Sequence, residues 1–150
     1  MPDLPEEARK PFNLLYTASR PVDDVPLVFG HLDGVLDRHG SVHLMHGDYK
    51  RRDQALVSDA IAQAWATQRI AEGAPVTVEP IAAPWDLLGA VAGPYRNGFM
   101  AGLLVGRGVQ PLGCVAYIVD GSRGASGCAA FADHVGIPVR RYEGKARDSH

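Results

Sequence analysis

The stretch Leu112–Gly127, LGCVAYIVDGSRGASG, decides the fold of this 150-residue chain. Its first eight residues are almost all apolar, which is typical of a strand buried on both faces of a sheet. The glycine-rich segment after them predicts a tight turn, and the small residues of 125–134 predict a helix. As the most hydrophobic segment of the chain, Leu112–Val119 is predicted to be the central strand. A buried strand that runs directly into a helix is the repeating unit of an α/β fold.

Strand and helix patterns alternate along the rest of the chain in the same way. Apolar runs predict strands at residues 13–17, 41–45, 75–81 and 138–142. Apolar residues at helical spacing predict helices at 24–38, around 56–65, and at 93–106, where Gly93-Pro94 is expected to open the helix. In the second of these helices, Asp53 is expected in the first turn and Asp59 on the solvent side. We therefore predict an α/β fold with a mainly parallel five-stranded sheet and helices on both faces.

Composition and charge limit the class of protein. The chain is 46% hydrophobic and 21% charged with a net charge of −2, which excludes general disorder and disfavours nucleic-acid binding through bulk positive charge. No stretch approaches the roughly 20 apolar residues of a membrane span, and the start MPDLPEEARKPF lacks the layout of a signal peptide. We expect a cytosolic protein in which residues 1–12 form a flexible arm, 13–142 the domain and 143–150 a charged tail.

Common catalytic and metal motifs are missing from the sequence. It contains no GxxxxGK[ST], no GxGxxG after the first strand, no HExxH and no GxSxG. Cys114 and Cys128 lie in apolar or small-residue runs without zinc-like spacing, so we expect two reduced core thiols. No metal site and no required cofactor are predicted.

Four polar clusters follow the predicted strands, where parallel sheets bind ligands. Three of them open helices and so offer free backbone N–H groups to an anion. Six of the fifteen Lys and Arg residues lie in them, which favours a compact anion such as the phosphates of a nucleotide. The clusters are Thr17-Ala18-Ser19-Arg20; His46-Gly47 through Asp53; Trp85-Asp86 with Gly93–Asn97; and Asp120–Ser126.

Each member of these clusters also fits a structural role. Gly121 and Gly124 suit a plain strand-to-helix turn, His46 a loop histidine that bonds backbone, and Trp85 a lid or core aromatic. The coincidence of all four clusters carries the prediction. The predicted ligand-binding residues are Thr17, Ser19, Arg20, His46, Gly47, Asp53, Trp85, Arg96, Asn97, Gly121, Ser122, Arg123, Gly124 and Ala125.

The order of these motifs resembles the YspA-like branch of the SLOG superfamily, nucleotide-binding proteins related to lonely-guy proteins and the DprA core. That branch shows TGSR, HGxARGAD, WD, AGPxRNxxM, PGGxGTA and AGIPV in this order. The counterparts, within residues 13–142, are Thr17–Arg20, His46–Asp53, Trp85-Asp86, Ala92–Asn97 with Met100, Gly121–Ser126 and Val135–Val139. Ala18, Arg51-Arg52, Asp120 and Ser122 depart from the pattern. The resemblance implies a single Rossmann-like three-layer domain and a nucleotide-like ligand.

The resemblance also bears on catalysis. In lonely-guy enzymes a glutamate follows the glycine-rich turn, whereas the matching stretch 126–129 contains no acid. We therefore predict a protein that senses or sequesters a phosphorylated small molecule. One alternative is a nucleotide-cleaving hydrolase, of the phosphoribohydrolase or nucleosidase type, with Asp120, Asp86 or Asp48 as acid or base. Another alternative is a DprA-like contact with single-stranded nucleic acid. Separately, the apolar, glycine-flanked segment Phe99–Val105 is a candidate surface for a homodimer or larger homo-oligomer.

Overall fold

A computed structural model describes residues 10–144 of the chain. Its elements are β1 (Phe12–Ala18), α1 (Val25–His39), β2 (Val42–His46), α2 (Asp59–Ala71), β3 (Val76–Pro80), α3 (Trp85–Leu88), a 3₁₀ turn (Gly89–Val91), α4 (Ala92–Gly106), β4 (Leu112–Val119), α5 (Arg123–His134) and β5 (Val139–Gly144). Residues 12 and 143–144, predicted in the arm and tail, thus belong to β1 and β5. The remainder of the predicted arm and tail, residues 1–9 and 145–150, lies outside the described part of the chain.

The five strands form one parallel sheet in the order β3-β2-β1-β4-β5. The predicted α/β fold with its five-stranded sheet is confirmed. The placement of Leu112–Val119 at the centre is wrong, because β1 is the central strand and β4 is its neighbour. The hydrophobicity of a strand reflects its burial on both faces of the sheet. Every inner strand is buried in this way, so hydrophobicity does not show which of them is central.

Helices cover both faces of the sheet, as predicted. Neighbouring residues of β1 point to opposite sides, so Tyr16 packs with Val28 of α1 and Trp65 of α2. Leu15 packs on the other side with Met100 of α4 and with α5. The chain is therefore a three-layer Rossmann-like domain with a core on each face of the sheet. None of the helices within residues 10–144 is long and apolar enough to cross a membrane.

One half of one face carries no helix among the described residues. Both α1 and α2 contact strands on the β1–β3 side, which leaves a groove of about 770 Å³ beside α1 and over β4 and β5. His31, Tyr117 and Tyr142 line it as a stack, with the His31 and Tyr142 ring centroids 4.2 Å apart. The groove contains none of the predicted site residues, although it is larger than the cavity at the predicted site.

The two edge strands differ from the inner strands in composition. At one edge, β3 is five residues long and ends at Pro80, which has no backbone N–H to donate. At the other edge, β5 exposes Arg140, Arg141 and Glu143. Short strands, proline and charge all discourage pairing with a further strand.

Candidate functional site

The site begins at the crevice between β1 and β4, which are neighbours in the sheet. From β1 the chain passes to α1 on one face, and from β4 it passes to α5 on the opposite face. The two connections diverge and open a crevice at the carboxyl ends of both strands. In open α/β sheets such a switch point is where ligands bind.

Two serines meet in this crevice. The buried Ser19 follows β1, and its hydroxyl accepts a hydrogen bond from Val119 N (2.8 Å) and contacts the hydroxyl of Ser122. Ser122 is the N-cap of α5, yet its side chain makes no capping hydrogen bond to that helix. The first-turn N–H groups of α5 therefore donate no hydrogen bond to their own N-cap side chain, and such groups attract anions.

Backbone conformation explains why the chain turns sharply before α5. Asp120 and Gly121 both have positive φ, 51° and 63°, a region that favours glycine over other residues. This turn places Arg123 and Gly124 on the exposed start of α5. Two predicted neighbours, Thr17 and Ala125, are instead buried, so they support the crevice from inside.

The end of β2 supplies a buried histidine. His46 is 1% exposed, with Nδ1 accepting from the backbone N–H of Asp48 (3.0 Å) and Nε2 contacting Gln63 Oε1 at 2.7 Å. Because a backbone N–H can only donate, Nδ1 is the acceptor and Nε2 carries the proton. These bonds hold the ring and the following loop in one arrangement.

The position predicted for Asp53 is wrong, and Asp59 takes its place in the first turn of α2. Asp53 lies exposed in the preceding loop, where its carboxylate accepts from Ala55 N and pairs with Arg51. Gln54 and Ser58 have φ values of 58° and 52°, so helical geometry is broken between residue 53 and the start of α2. The helix begins six residues after Asp53.

Asp59 was also predicted to face solvent, and this is wrong as well. It is 5% exposed because the 47–55 loop folds over it, and its Oδ2 accepts from Tyr49 N at 2.9 Å. Burial raises the pKa of the Asp59 carboxyl, while the Tyr49 N–H and the nearby His46 and Arg96 lower it. Ser58-Asp59 before an apolar repeat is a helix-start signal that could have located this residue in the sequence.

The predicted pair Arg96-Asn97 connects β2 to α5. The Arg96 guanidinium donates to the carbonyl of Gly47 and, through Nε, to Asn97 Oδ1 at 3.0 Å. Asn97 is buried, and its amide donates to the carbonyl of Gly124 at 3.2 Å. Four predicted residues from three elements are therefore brought together by side-chain hydrogen bonds. The helix that carries them begins at Ala92 with Val91 as N-cap, not at Gly93 as predicted, because the 3₁₀ turn continues directly into α4.

Gly47 is at the centre of this arrangement. A methyl group added at its α-carbon would lie 2.6 Å from the guanidinium carbon of Arg96 and 3.0 Å from Asp59 Oδ2. Both distances are shorter than ordinary van der Waals contact. The close approach of Arg96 and Asp59 to the backbone therefore requires glycine at position 47.

A cavity of about 500 Å³ lies beside this loop, lined by residues that include His46, Tyr49, Asp59 and Gln63. Its volume is within the range of small-molecule pockets. Within residues 10–144, no group of three or more His, Cys, Asp or Glu side chains could hold a metal ion.

Of the other predicted cationic side chains, some contact residues of the 47–55 loop and others are exposed on the surface. Arg20 lies over the Tyr49 ring, 5.1 Å from its centroid, and Lys50 pairs with Asp48 at 3.6 Å. Arg52 and Arg123 are exposed. Trp85 is 46% exposed and lies against Gly93, on the α3 side of the site.

The fold and the crevice together define a single Rossmann-like α/β domain with a polar site at the carboxyl edge of its sheet. Comparison with known proteins identifies no family for the chain. No protein-family model, no curated protein and no solved structure matches it. The YspA-like resemblance therefore stays a prediction from the motifs.

Proposed function

We propose that the chain is a cytosolic protein that binds a nucleotide or another phosphorylated small molecule at this carboxyl edge, to sense or sequester it, with no required cofactor. The observation that carries the proposal is the contact between Ser19 and Ser122. It turns the N-cap hydroxyl of α5 away from its own helix and into the β1–β4 crevice. An anion in the crevice would accept hydrogen bonds from the first-turn N–H groups of α5.

Charge at the edge supports a phosphate as the bound group. Arg20 and Arg123 are exposed on the two chain segments that follow β1 and β4. Arg96, at the β2 end, adds a cation that already has a fixed position. Charge-assisted hydrogen bonds are roughly twice as strong as neutral ones, so a few such groups suffice to hold a phosphate.

The proposal is tested by thermal unfolding of the purified protein with AMP, GMP, CMP, UMP, inorganic phosphate and a single-stranded oligonucleotide. At least one mononucleotide should raise the melting temperature by several degrees at saturating concentration. Arg123→Glu should abolish the rise, whereas Arg140→Glu, an exposed arginine of β5 outside the site, should leave it intact. No shift with any mononucleotide, or a shift with the oligonucleotide alone, would overturn the proposal.

A second candidate function, hydrolysis of the nucleotide, is favoured by Asp59. Strongly perturbed pKa values are frequent at functional sites, and a carboxyl whose pKa is raised by burial suits a general acid. The acids named from the sequence are less enclosed, because Asp86 on the short α3 and Asp120 after β4 are exposed and Asp48 pairs with Lys50.

Chromatography of the recovered ligand separates the two functions. A binding protein returns the mononucleotide intact, and this is the result we expect. Release of free base above a no-protein control, lost in Asp59→Asn and kept in Asp86→Asn, would establish the hydrolase instead.

A further inference from the structure

The helix α4 is apolar on two opposite sides. Its inward side packs Met100, Ala101 and Leu104 against the sheet. Its outward side exposes Tyr95, Phe99 and Val105, with Gly98, Gly102 and Gly106 spaced four residues apart between them. The one charged residue of α4, Arg96, is directed to Gly47 and Asn97. The outward side of α4, all of it within the described residues, therefore carries no charge.

Neighbouring elements extend this apolar surface. Eight of the eleven large hydrophobic side chains exposed within residues 10–144 lie on or next to α3, α4 and α5. Phe131 of α5 contacts α4 at Gly98, 3.5 Å from the position of an added β-carbon, and Trp85 of α3 contacts it at Gly93, at 3.2 Å. We call these eight residues the α4 surface: Trp85, Leu87, Val91, Tyr95, Phe99, Val105, Phe131 and Val135.

The area of the α4 surface is that of a protein interface. Taking roughly 200 Å² for each fully exposed side chain, within the range for aromatic residues, the exposed fractions amount to about 840 Å² per chain. The largest apolar patch of a typical monomer is about 300–600 Å². A stable protein–protein interface buries about 800 Å² on each partner.

We propose that the α4 surface is the interface of a homodimer. A two-fold interface brings the same patch of both copies together, and the uncharged outward side of α4 does so without opposing like charges. Gly102 and Gly106 leave open space, since an added β-carbon at either would meet no atom within 4 Å. That space lets the α4 helices of the two copies approach closely. The homodimer does not depend on the nucleotide proposal.

Sedimentation velocity over a range of protein concentrations tests this interface. The wild-type protein should show twice the 16.1 kDa chain mass at about 10 µM and above. Phe99→Glu and Gly102→Arg should each shift it to the mass of one chain. Gly102→Arg replaces an exposed helical glycine by a better helix former, so the fold of that variant should survive, and circular dichroism verifies this.

Ile70→Glu provides the matched control, because Ile70 on α2 is 43% exposed and Phe99 is 47% exposed. This variant should remain dimeric. A wild-type protein that keeps the mass of one chain up to about 200 µM contradicts the proposal. So does a dimer that persists in both α4 variants, or one that Ile70→Glu also dissociates.

Discussion

The guanidinium of Arg96 donates a hydrogen bond to the backbone carbonyl of Gly47, joining α4 to the end of β2. The same side chain bonds Asn97, which in turn bonds the start of α5. One arginine therefore fixes the relative positions of three segments at the carboxyl edge of the sheet. Its removal affects both the charge and the shape of the site.

Replacing Arg96 by alanine should weaken binding of the mononucleotide that gives the largest melting shift by about tenfold or more, since charge-assisted hydrogen bonds contribute roughly 1.5–3 kcal/mol. Isothermal titration calorimetry measures this change. Arg38→Ala, which removes an exposed arginine of α1, should leave affinity unchanged. Equal affinity in Arg96→Ala and wild type would show that Arg96 has only a structural role.

Gly47→Ala should displace the Arg96 guanidinium, because the added methyl group occupies its place. Hydrogen exchange of the 47–55 loop should then become faster. Gly34→Ala in α1 is the control, because the methyl group added there meets no atom within 4 Å. This control should stabilise the protein by roughly 0.5–1 kcal/mol through helix propensity. Unchanged exchange in Gly47→Ala would mean that the loop does not depend on this contact.

The raised pKa of Asp59 predicts that the stability of the folded protein depends on pH. Since burial disfavours the ionised carboxyl, the free energy of unfolding should decrease as pH rises from about 4, the ordinary aspartate pKa, through the raised value. Asp59→Asn should therefore gain stability relative to wild type as pH increases from 4 to 8. Urea unfolding at several pH values measures this difference.

Asp53→Asn is the control for that experiment. The pKa of Asp53 is lowered by its hydrogen bond from Ala55 N and by Arg51, so its contribution to stability changes mainly as pH falls below about 4. Asp53→Asn should therefore differ from wild type by a nearly constant amount between about pH 4 and 8. A constant difference between Asp59→Asn and wild type over this pH range would contradict the buried, ionisable state of Asp59.

Glu79 should contribute to resistance against acid. Two hydrogen bonds of 2.7 Å from Arg107, and then the contact with His43, lower its pKa to about 2. The contribution of ionised Glu79 to the free energy of unfolding is complete above the ordinary glutamate pKa of about 4.3. This contribution is lost as pH falls towards 2. Glu79→Gln should thus be less stable than wild type at pH 7 and equally stable near pH 2. Glu143→Gln on β5 should show little change at either pH.

Cys114 and Cys128 should be unreactive in the folded protein. Both are free and buried, as predicted from the sequence, and burial raises the pKa of Cys128 to about 11 and that of Cys114 further. Since the thiolate is the reactive form, a disulfide reagent such as DTNB should modify neither residue until the protein unfolds. Rapid modification of the native protein would show that one thiol is accessible.

The sequence is sufficient to predict the fold, because alternating strand and helix patterns report burial directly. The 47–58 loop is different. Asp48, Gln54 and Ser58 adopt positive φ there although none of them is glycine, so the sequence does not show where the loop bends. The Ser58-Asp59 helix-start signal alone indicates where α2 begins. Asp59 is buried by the 47–55 loop, which is not part of its helix, and helical periodicity contains no information about contacts with a loop. The contacts that form the site, Ser19 with Ser122 and Arg96 with Gly47, join residues far apart in sequence.

The proline and charged residues of the two edge strands limit how copies of this protein can associate. Pro80 closes one edge, and Arg140, Arg141 and Glu143 surround the other. Growth of the sheet by addition of strands from another copy is therefore disfavoured in both directions. Assembly through the helical layers, as in the proposed homodimer, would stop at a closed pair and would not continue into a fibre.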